Sequence, residues 1–224
     1  MEGKIQEFYN RVGPVSPDWV VCAGDFGVWP DPARMDRAAR KHAGRDFARM
    51  YVGIDPVGAA FQTLTIAGVH DDNDWLKQRH DNGSGEILAN VHWLAQGYKT
   101  EIGWEKAIRV TGLGKAYSDT TYNGRFNIRS SRHYTRSEVD RACASGPTEL
   151  LVLYEHLDSP GLRNIIYATR PKLILNVAHP SRKVYVEVQG TPVIQLGRHE
   201  TRLVQWDEEN GKFIIDKGLV QQLA

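Results

Sequence analysis

The feature that most constrains this chain is a recurring join: a short apolar run of strand length, closed by a turn that carries an aspartate or a histidine. Trp19-Val20-Val21-Cys22-Ala23 leads into Gly24-Asp25-Phe26-Gly27, and Leu64-Thr65-Ile66-Ala67 into Gly68-Val69-His70-Asp71. The run from Leu150 to Tyr154 leads to His156-Leu157-Asp158-Ser159-Pro160, and that from Leu173 to Val177 to Ala178-His179-Pro180-Ser181. Apolar runs of this length bounded by Gly and Pro signal strands. Ala107 to Thr111 reads as a further one.

Helical patterns lie between the runs. Ile5, Phe8, Tyr9 and Val12 follow helical spacing. Asp31-Pro32 reads as an N-cap with proline at the first helical position, opening a helix to about Tyr51. Thr135 and Glu138 have the spacing of a capping box. A helix over Leu162 to Thr169 is stopped by Pro171. From Lys183 the pattern changes. Val184, Val186 and Val188 alternate with polar neighbours, and Val193 to Leu196, Leu203 to Trp206 and Phe213 to Ile215 follow, separated by Gly190, Gly197 and Asn210-Gly211. This predicts an antiparallel meander with hairpin turns. The whole predicts an α/β chain with a β-rich end.

Composition excludes several classes. The 224 residues suffice for one sizeable core, and the net charge of +1 favours neither nucleic acid nor membrane as a global partner. Cys22 and Cys143 have no paired spacing, so neither a disulfide framework nor a cysteine zinc motif is expected. No apolar run reaches the ~20 residues of a membrane span, and the N-terminus lacks a signal-peptide core. A cytoplasmic, reducing setting is expected.

The chemistry lies at the strand ends. Open α/β sheets place ligands beyond the carboxyl ends of their strands, and His nitrogen with carboxylate oxygen suits manganese, iron or zinc. A second candidate surface runs from Lys106 to Ala142. There Arg125, Arg129, Arg132 and Arg136 are interleaved with Tyr117, Tyr122, Phe126 and Tyr134, a mixture suited to single-stranded nucleic acid. His133 lies inside this arginine group. A solvated loop would have the same composition. Gly112-Leu113-Gly114-Lys115 is too short for a phosphate loop and reads as a turn.

The ordered strand-end series resembles the calcineurin-like metallophosphoesterases. Cys22-Ala23-Gly24-Asp25-Phe26, Asn127-Ile128-Arg129-Ser130-Ser131-Arg132-His133 and Val177-Ala178-His179 are most similar to the RNA lariat-debranching branch. The resemblance implies a single domain over 1–224 with an αββα four-layer sandwich and mixed sheets. It implies metal-dependent hydrolysis of phosphoesters, with nucleotide or RNA phosphodiesters as substrates. By the same resemblance Asp25, His156 and His179 are metal ligands, His70 acts on the leaving oxygen, and Asp71 orients His70. Arg125, Arg129, Arg132 and His133 would bind substrate.

The family's first motif, Asp-x-His, has no counterpart here, and neither has the strand that carries it. Val69 stands where the family has a metal-binding Asn, and Ser181 where it has a second His. The missing pair and Ser181 belong to one metal, so one ion is expected, not two. A start upstream of Met1 and a genuine loss of that site both account for the missing motif. Without its first strand the sheet would offer an edge to a partner chain or a second copy. A pseudoenzyme retained as a binding or scaffold module is the alternative to a working hydrolase.

Overall fold

The structure, a computed structural model, describes residues 4–42, 44–54, 61–79, 84–103, 106–125, 130–177, 187–197, 200–215 and 221–222. The chain is α/β with mixed sheets. A four-stranded sheet has the order β1 (Trp19–Cys22), β2 (Gln62–Thr65), β4 (Val91–Leu94), β3 (Ser84–Leu88). The first three of these run parallel and β3 is antiparallel, with an irregularity between Glu86 and Leu88. A six-stranded sheet has the order β5 (Lys99–Ile102), β6 (Ile108–Leu113), β7 (Leu150–Leu153), β8 (Leu173–Val177), β10 (Thr191–Leu196), β9 (Glu187–Val188). Its four central strands are parallel and its two edge strands antiparallel. Two small ladders complete the set: β11 (Glu200–Thr201) with β14 (Gln221–Gln222), and β12 (Val204–Asp207) with β13 (Lys212–Ile215).

The apolar runs alternate between two sets of neighbours, as the period of two in a strand requires. Leu151 and Leu153 pack with Val139 and Ala142 of α6 (Arg136–Ala144) and with Leu162, Ile165 and Ile166 of α7 (Leu162–Thr169). Leu150 and Val152 pack instead with Leu64, Ile66 and Leu94, in a cluster drawn from both sheets. Val20 and Val91 join Ile5, Tyr9 and Val12 of α1 (Ile5–Val12), together with Phe47 and Leu76. Burying one such aliphatic side chain is worth about 1.5–3 kcal/mol, so these faces fix the strand registers.

Local signals hold where they are self-contained. The Thr135 hydroxyl accepts from the Glu138 N–H at 3.2 Å and Glu138 Oε2 from the Thr135 N–H at 2.7 Å, a complete capping box. The helix ending before Pro171 and the strand after it have the predicted limits. Other expectations fail. Asp31 does cap, accepting from the Ala33 N–H at 2.9 Å, but it opens only a 3-10 turn, Pro32–Arg34. Met35 is then extended, and Asp36 begins a new helix, α2 (Arg37–His42), followed by α3 (Asp46–Tyr51). Gly112 and Leu113 lie inside β6 and do not form a turn. The end of the chain is no simple meander, because β10 pairs in parallel with β8. Residues Val184 and Val186 lie outside the described residues. Strands β3, β4 and β5 were not anticipated. Among the described residues no helix is long and apolar enough to cross a membrane.

Candidate functional site

The carboxyl ends of the two sheets meet. Past β6, the Lys115 N–H donates to the Ala67 carbonyl beyond β2 at 2.8 Å, and the Tyr154 N–H donates to Leu113 at 3.1 Å. A Cβ at Gly114 would collide with the Ala67 backbone, so glycine is required for this approach. Asp25 sits at the junction. Its φ of +51° follows Gly24 at +102°, a left-handed stretch that turns the chain sharply off β1. Holding a non-glycine residue there costs of order 1 kcal/mol or more, offset by the bonds its carboxylate makes. Oδ1 accepts from the His70 N–H at 2.9 Å, and Oδ2 from the Tyr154 hydroxyl at 2.7 Å. Burial, and after it the Asp25 charge, push the Tyr154 phenol far above its usual range, so it remains a donor.

Asp71 is 2% exposed and serves the backbone. Its Oδ1 accepts from the N–H groups of Gly27 at 2.8 Å and Val28 at 2.9 Å, and its Oδ2 from that of Gly68 at 2.8 Å. Burial first, and the nearby Asp25 second, raise its pKa in spite of those donors. Further bonds join the same two loops: Trp29 Nε1 to the His70 carbonyl at 2.6 Å, and Arg34 to Asp72 at 3.0 Å. The strand-end loops after β1 and β2 are thus one stitched unit.

His70 departs from expectation in its partner. Its Nδ1 lies 3.3 Å from Oδ2 of Asp36, and the same oxygen takes Arg132 Nη1 at 3.0 Å. The other oxygen of Asp36 accepts from the Ala39 N–H at 2.7 Å. Burial alone would raise the Asp36 pKa. The Ala39 N–H, His70 and Arg132 outweigh it and hold the carboxyl below its ordinary range. The acid beside the histidine is therefore Asp36 and not Asp71, which is committed to three backbone donors. The pairing of Asp36 with His70 had no signal in the sequence, because it is made across the stitched loops. The signal that did exist was the N-cap position ahead of Arg37.

His156 lies on the loop after β7 and is 6% exposed. Its N–H donates to Glu155 at 2.7 Å, and its Nδ1 accepts from the Asp158 N–H at 3.4 Å. Asn176 Nδ2 ties this loop to β8 through the Glu155 carbonyl at 2.6 Å. The expected ligand His179, with Ser181, falls outside the described residues, as do Phe126 and Arg129. Among the described residues no group of three or more His, Cys, Asp or Glu is arranged to hold a metal ion.

Of the basic-aromatic stretch, Arg132 reaches the strand-end site and Arg125 is exposed. A backbone bridge explains the placement of Arg132: the Ala116 N–H donates to the Arg132 carbonyl, and the Tyr134 N–H to that of Ala116, each at 3.1 Å. His133 sits between these bonds, opposite Ala116. Tyr117, Tyr122 and Tyr134 turn inward. Tyr134 is wholly buried, with Tyr117 and Tyr122 at 6.0 Å centroid distance, and the Arg136 guanidinium lies 5.3 Å over Tyr122. Tyr134 is core, so it offers no face for a base.

Comparison with models of known protein families and with characterised proteins gives no match.

Proposed function

We propose that this chain is a metal-dependent phosphoester hydrolase of the calcineurin-like type, acting on phosphodiesters of nucleotides or RNA. The observation that carries this reading is the meeting of Asp25 and His70 at the carboxyl edge of the sheets, with His70 backed by an ionised carboxylate. The finer architecture belongs to the same reading. The shared cluster of Leu64, Ile66, Leu150 and Val152, with helices packed against the other sides of both sheets, supports an αββα sandwich.

The donors would be Asp25, His156 and His179, one carboxylate and two imidazoles, a set suited to a single Mn, Fe or Zn ion. When bound, such an ion supplies a hydroxide nucleophile and relieves charge on the phosphoryl oxygens. Once protonated at both ring nitrogens, His70 would give the Nε2 proton to the departing oxygen, a contribution of roughly 10²–10⁴-fold. Arg132, with Arg125, Arg129 and His133, would bind the substrate anion. Purification without chelator, metal analysis and an assay on bis(p-nitrophenyl) phosphate test this. About one ion per chain and a loss of at least ~100-fold in His70→Ala are expected. Unchanged activity in His70→Ala, or none with any divalent metal, overturns it.

One observation favours a second reading, a phosphoesterase fold kept as a binding or scaffold module. Both oxygens of Asp25 are engaged by protein donors, one of them the Tyr154 hydroxyl. A protein without bound metal whose melting ignores chelator, but which retains single-stranded RNA, would establish this reading over the first.

A further inference from the structure

Asp36 joins two groups that face solvent. Its side chain is 13% exposed, whereas those of His70 and Arg132 are 37% and 34% exposed. One oxygen is fixed by the Ala39 N–H at the start of α2, so the carboxylate cannot swing away. The other oxygen receives His70 Nδ1 and Arg132 Nη1 together. Two half-exposed side chains are thereby held by one carboxylate oxygen.

We infer that Asp36 is a positioning residue that aligns His70 and Arg132 as a two-pronged clamp for a tetrahedral oxyanion. The inference deepens the proposed function and rests on it for the identity of the anion, a phosphoryl group.

The chemistry follows from the pairing. An ionised Asp36 only accepts, so the proton on His70 stands at Nδ1, and Nε2 is left for the ligand. In that form Nε2 accepts from a P–OH of the ligand while Arg132 faces its oxyanion. Arg132 meets Asp36 as an ion pair at 3.0 Å, and its planar fork of donors suits an anion. Asp36 and Arg132 balance one another at 3.0 Å, and an anion shares the Arg132 guanidinium. Asp25 touches His70 only through its backbone N–H, and Asp71 is turned to Gly27, Val28 and Gly68, so neither carboxylate fills the clamp.

The test uses the full chain labelled with ¹⁵N. Long-range proton–nitrogen correlation of the histidine rings reads the His70 tautomer, assigned by the signal lost in His70→Gln. Wild type is expected to hold the Nδ1–H form. Asp36→Asn should shift the ring toward the Nε2–H form, and Asp36→Glu should restore much of the wild-type signal. Inorganic phosphate is then titrated at low salt. The His70 ring signals should move, and Arg132→Gln should weaken phosphate binding by about tenfold, the loss of one charge-assisted contact. An Nε2–H tautomer in the wild type overturns the positioning role, whether or not the Asp36 variants fold. Equal phosphate affinity in wild type and Arg132→Gln overturns the clamp. Absence of hydrolysis with these signals intact defeats the proposed function and leaves the clamp standing.

Discussion

The Tyr154 hydroxyl donates to Oδ2 of Asp25 across 2.7 Å, and this bond ties the end of β7 in one sheet to the end of β1 in the other. The contact spans 129 positions of sequence. It also fills a lone pair on the carboxylate proposed above as a metal ligand. Tyr154→Phe removes only the donor. A hydrogen bond to a charged, mostly buried group is worth about 1.5–3 kcal/mol. A fall of that size in unfolding free energy is expected in urea, with the slope of the transition unchanged.

Asp71 is predicted to be a structural acid. Asp71→Asn keeps the shape but leaves one backbone N–H facing an amide, at a cost of about 1–3 kcal/mol. The pH dependence separates this from a catalytic role. Burial and Asp25 raise the carboxyl from its ordinary 3.8 to about 6, so the folded state holds a proton that the unfolded chain has released. The resulting contribution is complete below the ordinary value and is lost as the pH rises through about 6. The stability advantage of wild type over Asp71→Asn should therefore shrink between pH 4 and pH 6, as followed by denaturant melts.

Glu149 behaves in the opposite sense. Arg109 donates to it through Nε at 2.8 Å and Nη2 at 2.5 Å, and its backbone N–H adds a third bond at 3.0 Å. The Arg109 side chain holds the carboxyl below its ordinary value. Its contribution is present above the ordinary carboxylate range and disappears as the pH falls through the lowered value. Because Arg109 is 41% exposed, solvent screening limits Glu149→Gln to about 1–2 kcal/mol at neutral pH. The difference from wild type should vanish in acid melts.

Two glycines give a contrast in the same measurement. A Cβ at Gly68 would run into the Asp25 carboxylate and backbone, whereas one at Gly13 meets nothing within 4 Å. Gly68→Ala should cost more than about 2 kcal/mol and should disturb the amide signals of Asp25 and His70. Gly13 has helical dihedrals but precedes Pro14, whose ring disfavours a Cβ there, so Gly13→Ala should change stability by less than about 1 kcal/mol.

Much of the parallel framework was legible in the sequence. The runs at Trp19 and Leu150 are apolar throughout, that at Leu173 in all but Asn176, and the strands they form pack on both sides. The limits of α7 and the capping box at Thr135 rest on neighbours within a few residues, so local rules suffice. Strand β3 was missed for the converse reason. Ser84–Leu88 has few apolar residues, and it becomes a strand through pairing with β4. The placement of Asp25 and His70 beside one another follows from strand ends that share an edge. The choice of Asp36 over Asp71 does not, because the nearer aspartate in sequence is drawn into the backbone donors of the neighbouring loop.

The sequence by itself determined that Asp25, His70 and His156 stand just past the ends of buried strands, because apolar length and turn chemistry are local properties. Only the tertiary structure decided what each one touches. Tyr154 reached Asp25, Asp36 reached His70 and Arg132, and Tyr134 turned into the core. Those outcomes depend on how two sheets and their loops close on each other, and a hydrogen bond between residues 34 or 129 positions apart leaves no trace in the spacing of either.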